Sequence, residues 1–208
     1  TPLARLTNEY NVFVLPANSS FKNLTEVVTQ LKKDPASVKW GGGSRGSTEH
    51  IAACSLARSV GVDPKKINYV PSRGGGEAVS AILDGSVTVG GSGYSEFAEH
   101  IATGKMRAIG LTSQKRIAGI PVATLKEQGY NVVIGNWRGV YAAPGISAEQ
   151  RAALISMVVA ATRTKSWSDA VRANKWTSDL ITGAEFSSFV DYEYSALSAI
   201  MYLSGMNG

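Results

Sequence analysis

The sequence predicts an α/β protein with a largely parallel sheet. Short runs rich in β-branched and aromatic residues alternate with runs of helical periodicity. Glycine-rich turns join strands to helices. A single cysteine, Cys54, in 208 residues leaves no internal disulfide framework to organise a loop-rich fold; it sits in an apolar helical pattern and reads as a buried thiol.

The elements follow in order. A strand is predicted over 11–15. Leu24, Val27, Val28 and Leu31 then recur at i, i+3, i+4 and i+7, with Asn23 and Glu26 in capping-box positions and Asp34-Pro35 as a stop, which is the pattern of a capped helix. A short strand over 38–40 leads through a glycine-rich turn into a helix over 47–60. A strand over 67–70 precedes a helix over 76–83, which Gly85 is placed to end in the left-handed conformation. Next come a strand over 87–89, a short helix around Phe97 and Ile101 closed by Gly104, and a strand over 107–112. This repetition is enough chain for an independent lobe.

The balance then changes. Strands are predicted over 131–134 and 139–143, followed by helices over 148–163, 166–173 and 184–203. Ser147 and Gln150 form a capping box for the first of these. The last carries Phe186, Val190, Tyr194, Leu197 and Met201 along one face, which reads as a core stripe. Two strands are too few to cover three amphipathic helices. This lobe is therefore expected to be incomplete, its other half lying before Thr1 or in another chain, and self-association through uncovered apolar surface is expected.

Composition narrows the function. Hydrophobic residues make up 44% of the chain, enough for a packed core. No apolar run reaches the roughly 18 to 20 residues that span a bilayer, and the first residues lack the apolar block of a secretory signal. The net charge of +5 comes from scattered basic residues such as Lys32-Lys33 and Lys65-Lys66, not interleaved with aromatics. That pattern argues against a nucleic-acid partner and suits attraction of small anions. The two histidines, His50 and His100, lack metal-ligand spacing, and Ser92 in Gly-Gly-Ser-Gly-Tyr lacks the last glycine of a nucleophile elbow. No catalytic residue, metal site or cofactor is predicted.

The most informative segment is WGGGSRGSTEH, residues 40–50. It places glycines and hydroxyls at a strand-to-helix turn, where unpaired N–H groups and the positive end of the helix dipole hold anions. Glycines admit close backbone approach, and Ser44, Ser47 and Thr48 add hydroxyl donors; a purely structural turn is the alternative. The segment lacks the Gly-Lys-Ser/Thr of a Walker loop. It also makes a poor dinucleotide fingerprint, because the acidic residue expected about twenty positions on is only Asp63, after a helix. A second turn, Pro71-Ser72-Arg73-Gly74-Gly75-Gly76, also joins a strand to a helix, and two such N-termini in one lobe are able to converge on one crevice. A third segment, around Trp137 and Arg138, offers an indole surface and a guanidinium. His50 is either a ligand donor or a satisfied structural residue.

The order of these segments resembles the Bug-type receptors of tripartite tricarboxylate transporters. The resemblance runs through VFVLPANSSFKNLTEVV (12–28), WGGGSRGSTEHIAA (40–53), INYVPSRGGGEAVSAILDGSV (67–87), GKMRAIGLTSQKR (104–116) and PVATLKEQGYNVVIGNWRGVYAAPGIS (121–147). It implies a type II periplasmic-binding-protein fold of two α/β lobes with crossing strands. Residues 1–11 and 113–208 would form a partial lobe lacking its N-terminal half, and residues 12–112 the other lobe. It implies an extracytoplasmic receptor, in a membrane-anchored lipoprotein or free in the periplasm, that hands a small di- or tricarboxylate to the membrane subunits of a transporter. A module feeding a signalling partner is the alternative, and an enzyme acting on a small anion a more distant one. Matching positions imply ligand contacts by Ser44, Gly46, Ser47 and Thr48, by Ser72, Arg73, Gly74 and Gly75, by Ser92, and by Trp137 and Arg138. Pro71-Ser72-Arg73 departs from the family's Tyr-Lys-Gly wording. Residues 90–94 depart from its bulky, Asn-containing segment, which leaves the ligand's identity open.

Overall fold

The computed structural model describes residues 1–206 and divides into two compact units, one of Thr1–Glu9 with Asn136–Leu197, the other of Tyr10–Gly135 with the residues from Ser198 onward. Strand β1, Pro2–Pro16, contributes its first half to the former and its second half to the latter.

In the larger unit the strand order is β3-β2-β4-β1-β5, with β2 at Lys39–Gly42, β3 at Asn68–Pro71, β4 at Val89–Gly93 and β5 at Met106–Leu111. β2 runs parallel to β3 and β4, whereas β1 runs antiparallel to β4 and β5. The sheet is thus mixed rather than largely parallel. Periodicity reveals that a strand exists, not which way it runs.

Helix α1, Leu24–Lys33, buries the predicted stripe of Leu24, Val27, Val28 and Leu31, and Asn23 Oδ1 accepts from the Glu26 amide at 3.0 Å. α2 (Thr48–Ser59), α3 (Gly75–Leu83) and α4 (Tyr94–Ala102) follow close to their predicted bounds, with Gly85 and Gly104 at positive φ just past α3 and α4. Val12, Val14, Ile82, Phe97 and Leu111 centre the core. β4 begins at Val89, later than the predicted 87–89 strand, and takes Gly90, Gly91 and Ser92 into the sheet. Residues 131–134 do not form a strand. Val132 and Ile134 are buried on either side of an exposed Val133, the alternation that reads as a strand, but the segment's tie to the sheet is local, at Thr112 just past β5. The Ile134 amide donates to Thr112 O, and Thr112 Oγ1 donates to Ile134 O at 2.7 Å while accepting from the Asn11 amide.

The smaller unit has one more paired segment than predicted. The first half of β1 pairs antiparallel with β7, Thr177–Thr182, and β1 also pairs with β6, Gly135–Tyr141. Neither β7 nor residues 2–10 read as a strand. Thr7, Asn8 and Glu9 look like loop residues, yet all three are buried. Polar pairing replaces hydrophobic alternation here: Arg5 Nη2 meets Asp179 Oδ1 at 2.8 Å, and Asn8 Nδ2 donates to Asp179 Oδ2 at 3.5 Å.

Helices α5 (Ala148–Thr162), with its Ser147–Gln150 capping box, and α6 (Lys165–Ala173) complete this unit together with α7 (Gly183–Leu203) as far as Leu197. Phe186 is fully buried and meets Trp137 edge-on at 5.8 Å. Beyond it the helices bury little. α5 and α6 contain no buried residue, and Phe186 is the only one on α7. Tyr194, expected in a core stripe, is 76% exposed, and Met157 is 68% exposed. Among the described residues no helix is long and apolar enough to cross a membrane.

Candidate functional site

The first glycine-rich turn is shaped by close packing beneath it. Trp40 on β2 is buried edge-on against Phe13 at 5.0 Å. A Cβ on Gly42 would come within 2.6 Å of Tyr69 Oη and 3.0 Å of Gly91 O, so β2, β3 and β4 approach too closely there for any side chain. The Ser47 amide then donates to Ser44 O at 3.0 Å, and Gly46 takes φ +80°, a left-handed position that favours glycine. Ser47 caps α2, its Oγ accepting from the His50 amide.

His50 supports this turn from inside. Its Nδ1 accepts from the Gly46 amide at 3.1 Å, and its ring stacks on Tyr69 at 4.0 Å. Tyr69 Oη donates to Gly43 O at 3.0 Å and lies 3.3 Å from Ser47 Oγ. Burial, with Arg45 nearby, lowers the His50 pKa to about 4, so the ring is neutral near pH 7. Burial pushes the Tyr69 phenol well up, its hydrogen bond with Ser47 opposing and the charge of Glu49 adding.

This arrangement has a pH consequence. Between the ordinary histidine value of 6.5 and about 4, the unfolded chain takes a proton that folded His50 refuses. The stability His50 contributes is therefore complete above 6.5 and declines as pH falls, by on the order of 3 kcal/mol at pH 4. His50→Asn keeps an acceptor for the Gly46 amide and removes the titration. Urea unfolding between pH 7 and 4 should show a shallower acid loss in the variant; identical slopes would mean that His50 does not carry it.

The second turn is tied to the first, because the Ser72 amide donates to Gly42 O at 3.0 Å. Arg73 contributes its amide to Glu77 Oε2, which closes the start of α3. Between the two turns lies a cavity of about 270 Å³ lined by Ser44, Ser72, Arg73, Gly74, Gly75 and Ser92. Helix geometry leaves the first N–H groups of α3 without intrahelical acceptors at its wall. Glu49 and Glu96 also line the cavity and were not singled out in the sequence. Glu49 stands in the first turn of α2, where an acidic residue is ordinary helix chemistry, so nothing local signals that it is buried or which way it faces.

Gly46, Ser47 and Thr48 do not line this cavity, the Gly46 amide and Ser47 Oγ being engaged within the turn. Trp137 and Arg138 belong to the smaller unit. There Trp137 packs edge-on against Phe189 at 5.5 Å, and Arg138 Nη1 donates to Asn136 Oδ1 at 2.6 Å with Nη2 3.8 Å from Glu9 Oε2. A larger cavity, about 490 Å³, lies between α2 and the end of α7, lined by residues such as Cys54, Arg58, Ile200 and Ser204. It holds none of the expected ligand contacts and neither glycine-rich turn. Burial raises the Cys54 thiol there, which opposes formation of the reactive thiolate. Among the described residues no group of three or more histidine, cysteine, aspartate or glutamate side chains is arranged to hold a metal ion.

Comparison with known proteins places this geometry in context. Residues 1–179 match the profile of the family described as tripartite tricarboxylate transporter family receptor. A TctC solute-binding protein from Polaromonas, solved without ligand, is 25% identical, with a TM-score of 0.78 over 97% of this chain and 68% of its own. Rpa4515 of R. palustris, solved with adipate, superposes with a TM-score of 0.84 at 18% identity, covering 99% of this chain and 68% of its own. MatC of Rhodopseudomonas palustris, with bound malate, gives 0.77 at 20% identity, covering 98% and 69%. These likenesses show the α/β fold of periplasmic solute-binding proteins. The chain spans about 40% of the length of the first curated relatives it matches.

Proposed function

Because the chain belongs to the tripartite tricarboxylate transporter receptor family, we propose that it captures a small carboxylate and presents it to the membrane subunits of such a transporter, without chemical turnover. The observation that carries this reading is the convergence of two glycine-rich strand-to-helix turns, joined by the Ser72–Gly42 hydrogen bond, on one cavity lined by Ser44, Ser72, Arg73, Gly74, Gly75 and Ser92. Exposed amides at the start of α3, the hydroxyls of Ser44 and Ser72 and the Arg73 guanidinium are the donors that hold a carboxylate, the Ser92 hydroxyl being given to Glu96. Structural neighbours solved with malate and adipate support the ligand class, and the family's receptors are periplasmic, the location proposed for this protein.

The proposed lobes, residues 12–112 and residues 1–11 with 113–208, differ from the two compact units chiefly in residues 113–135 and those from Ser198 onward, which cluster with the larger unit. The reading takes the uncovered faces of α5, α6 and α7 as the place where polypeptide present in those longer relatives, and not in this chain, would pack.

Calorimetric titration with a panel of mono-, di- and tricarboxylates tests the proposal. At least one is expected to bind with a dissociation constant of about micromolar order and to be recovered unchanged. Absence of heat across the panel at millimolar ligand, or recovery of a chemically altered ligand, would count against the receptor reading.

A further inference from the structure

We propose that the ligand of this cavity carries a protonated amine as well as a carboxylate, and that Glu49 pairs with the amine. The inference rests on the receptor reading and narrows its ligand class to amino carboxylates. Glu49 is 9% exposed and lines the cavity, yet among the described residues its carboxylate has no hydrogen bond or ion pair. With most of the residue out of water and its carboxylate opening on the cavity, Glu49 gains from a donor or cation that enters there.

The surrounding residues do not meet that need. His50, next in the chain, is neutral above about pH 4 and has Nδ1 committed to the Gly46 amide. Tyr69 Oη is committed to Gly43 O. Glu96, the cavity's other carboxylate, already has a donor, because Ser92 Oγ bonds to its Oε2 at 2.5 Å. It also lies beside the start of α3, where a Cβ on Gly75 would stand 3.0 Å from that oxygen. Among the described residues, Glu49 is the cavity carboxylate without a hydrogen bond.

The charge of the lining points the same way. Two carboxylates, Glu49 and Glu96, stand against one guanidinium, Arg73. A ligand bearing only carboxylates would add to a negative excess, whereas an ammonium opposite Glu49 neutralises it and leaves Arg73 and the α3 amides for the ligand's own carboxylate. The cavity, about 270 Å³, lies just below the roughly 300 to 1,000 Å³ of typical ligand pockets and so suits a small ligand.

The test compares compounds that differ at one position: malate with aspartate, where a hydroxyl becomes an ammonium, and adipate with 2-aminoadipate. By calorimetry the wild-type protein is expected to bind an aminated member at least about tenfold more tightly than its partner. Glu49→Gln should weaken that aminated compound by about thirtyfold or more and leave its partner within a few-fold. Binding of malate or adipate with no aminated preference would overturn this proposal while leaving the receptor reading intact; silence from all four compounds together with the wider panel would remove both. Equal weakening of both members by Glu49→Gln would also overturn it, by assigning Glu49 a structural role. The wild-type comparison decides the matter without any variant, should Glu49→Gln fail to fold.

Discussion

Gly90→Val is expected to destabilise the larger unit by about 3 kcal/mol or more, measured as a lower urea midpoint. Gly90 is the second residue of β4, which is flanked by β2 and β1, and Ile82 of α3 packs directly onto it. A Cβ built there would stand 2.1 Å from Ile82 Cδ1 and 2.4 Å from its Cγ1, with Val14 Cγ2 at 3.3 Å. Ile82 is fully buried and cannot swing into solvent, so α3 would have to lift from the sheet. Such a lift would also disturb the turn that opens α3, so ligand binding should fall together with stability. The smaller change Gly90→Ala, paired with Ile82→Val, should recover part of the loss, because the two substitutions share one contact and their effects do not add. Full additivity in that pair would show that the clash with Ile82 is not the cause.

Ser72→Asp is expected to weaken carboxylate binding by about a hundred- to a thousandfold. Ser72 lines the cavity at the second turn and is nearly buried, so an aspartate there places a fixed negative charge where the ligand's own is proposed to sit. Two such charges about 4 Å apart near a protein surface repel by roughly 4 kcal/mol. Ser72→Ala removes one donor and keeps the shape, with a loss of about ten- to a hundredfold if its hydroxyl bonds the carboxylate. Ser147→Asp is the matched control. It alters the N-cap of α5, in the other unit, where aspartate caps as well as serine, and it should leave affinity unchanged. Wild-type affinity in a folded Ser72→Asp protein would rule out this turn as the carboxylate site.

Much of the larger unit was legible in the sequence because its signals are local. The stripe of Leu24, Val27, Val28 and Leu31, the caps at Asn23 and Ser47, and the left-handed glycines after α3 and α4 each depend on residues within a turn or two of one another. Both glycine-rich turns announced themselves in the same way, by residue types that only tight strand-to-helix junctions favour. The smaller unit was less legible. The strand over 2–10 carries Thr7, Asn8 and Glu9 into the interior, which pairing with β6 and β7, the ion pair between Arg5 and Asp179 and the approach of Arg138 to Glu9 make tolerable. Residues 131–134 showed the opposite failure, with strand alternation present but no ladder to join.

By itself, then, the sequence determined the α-helices, close to where they start and stop, and that two glycine-rich turns open helices in the larger unit. Tertiary structure decided which atoms of those turns remain free. Gly46 and Ser47 spend their polar groups on His50 and Tyr69, whereas Ser72, though distant in sequence, is drawn to Gly42 and shares a cavity with Ser44 and Ser92. It also decided that Glu49, in sequence an ordinary first-turn acid, is buried against that cavity with no hydrogen bond or ion pair among the described residues. The physical reason is that caps and periodicity act over a few residues, but desolvation of a charge depends on everything the fold packs around it.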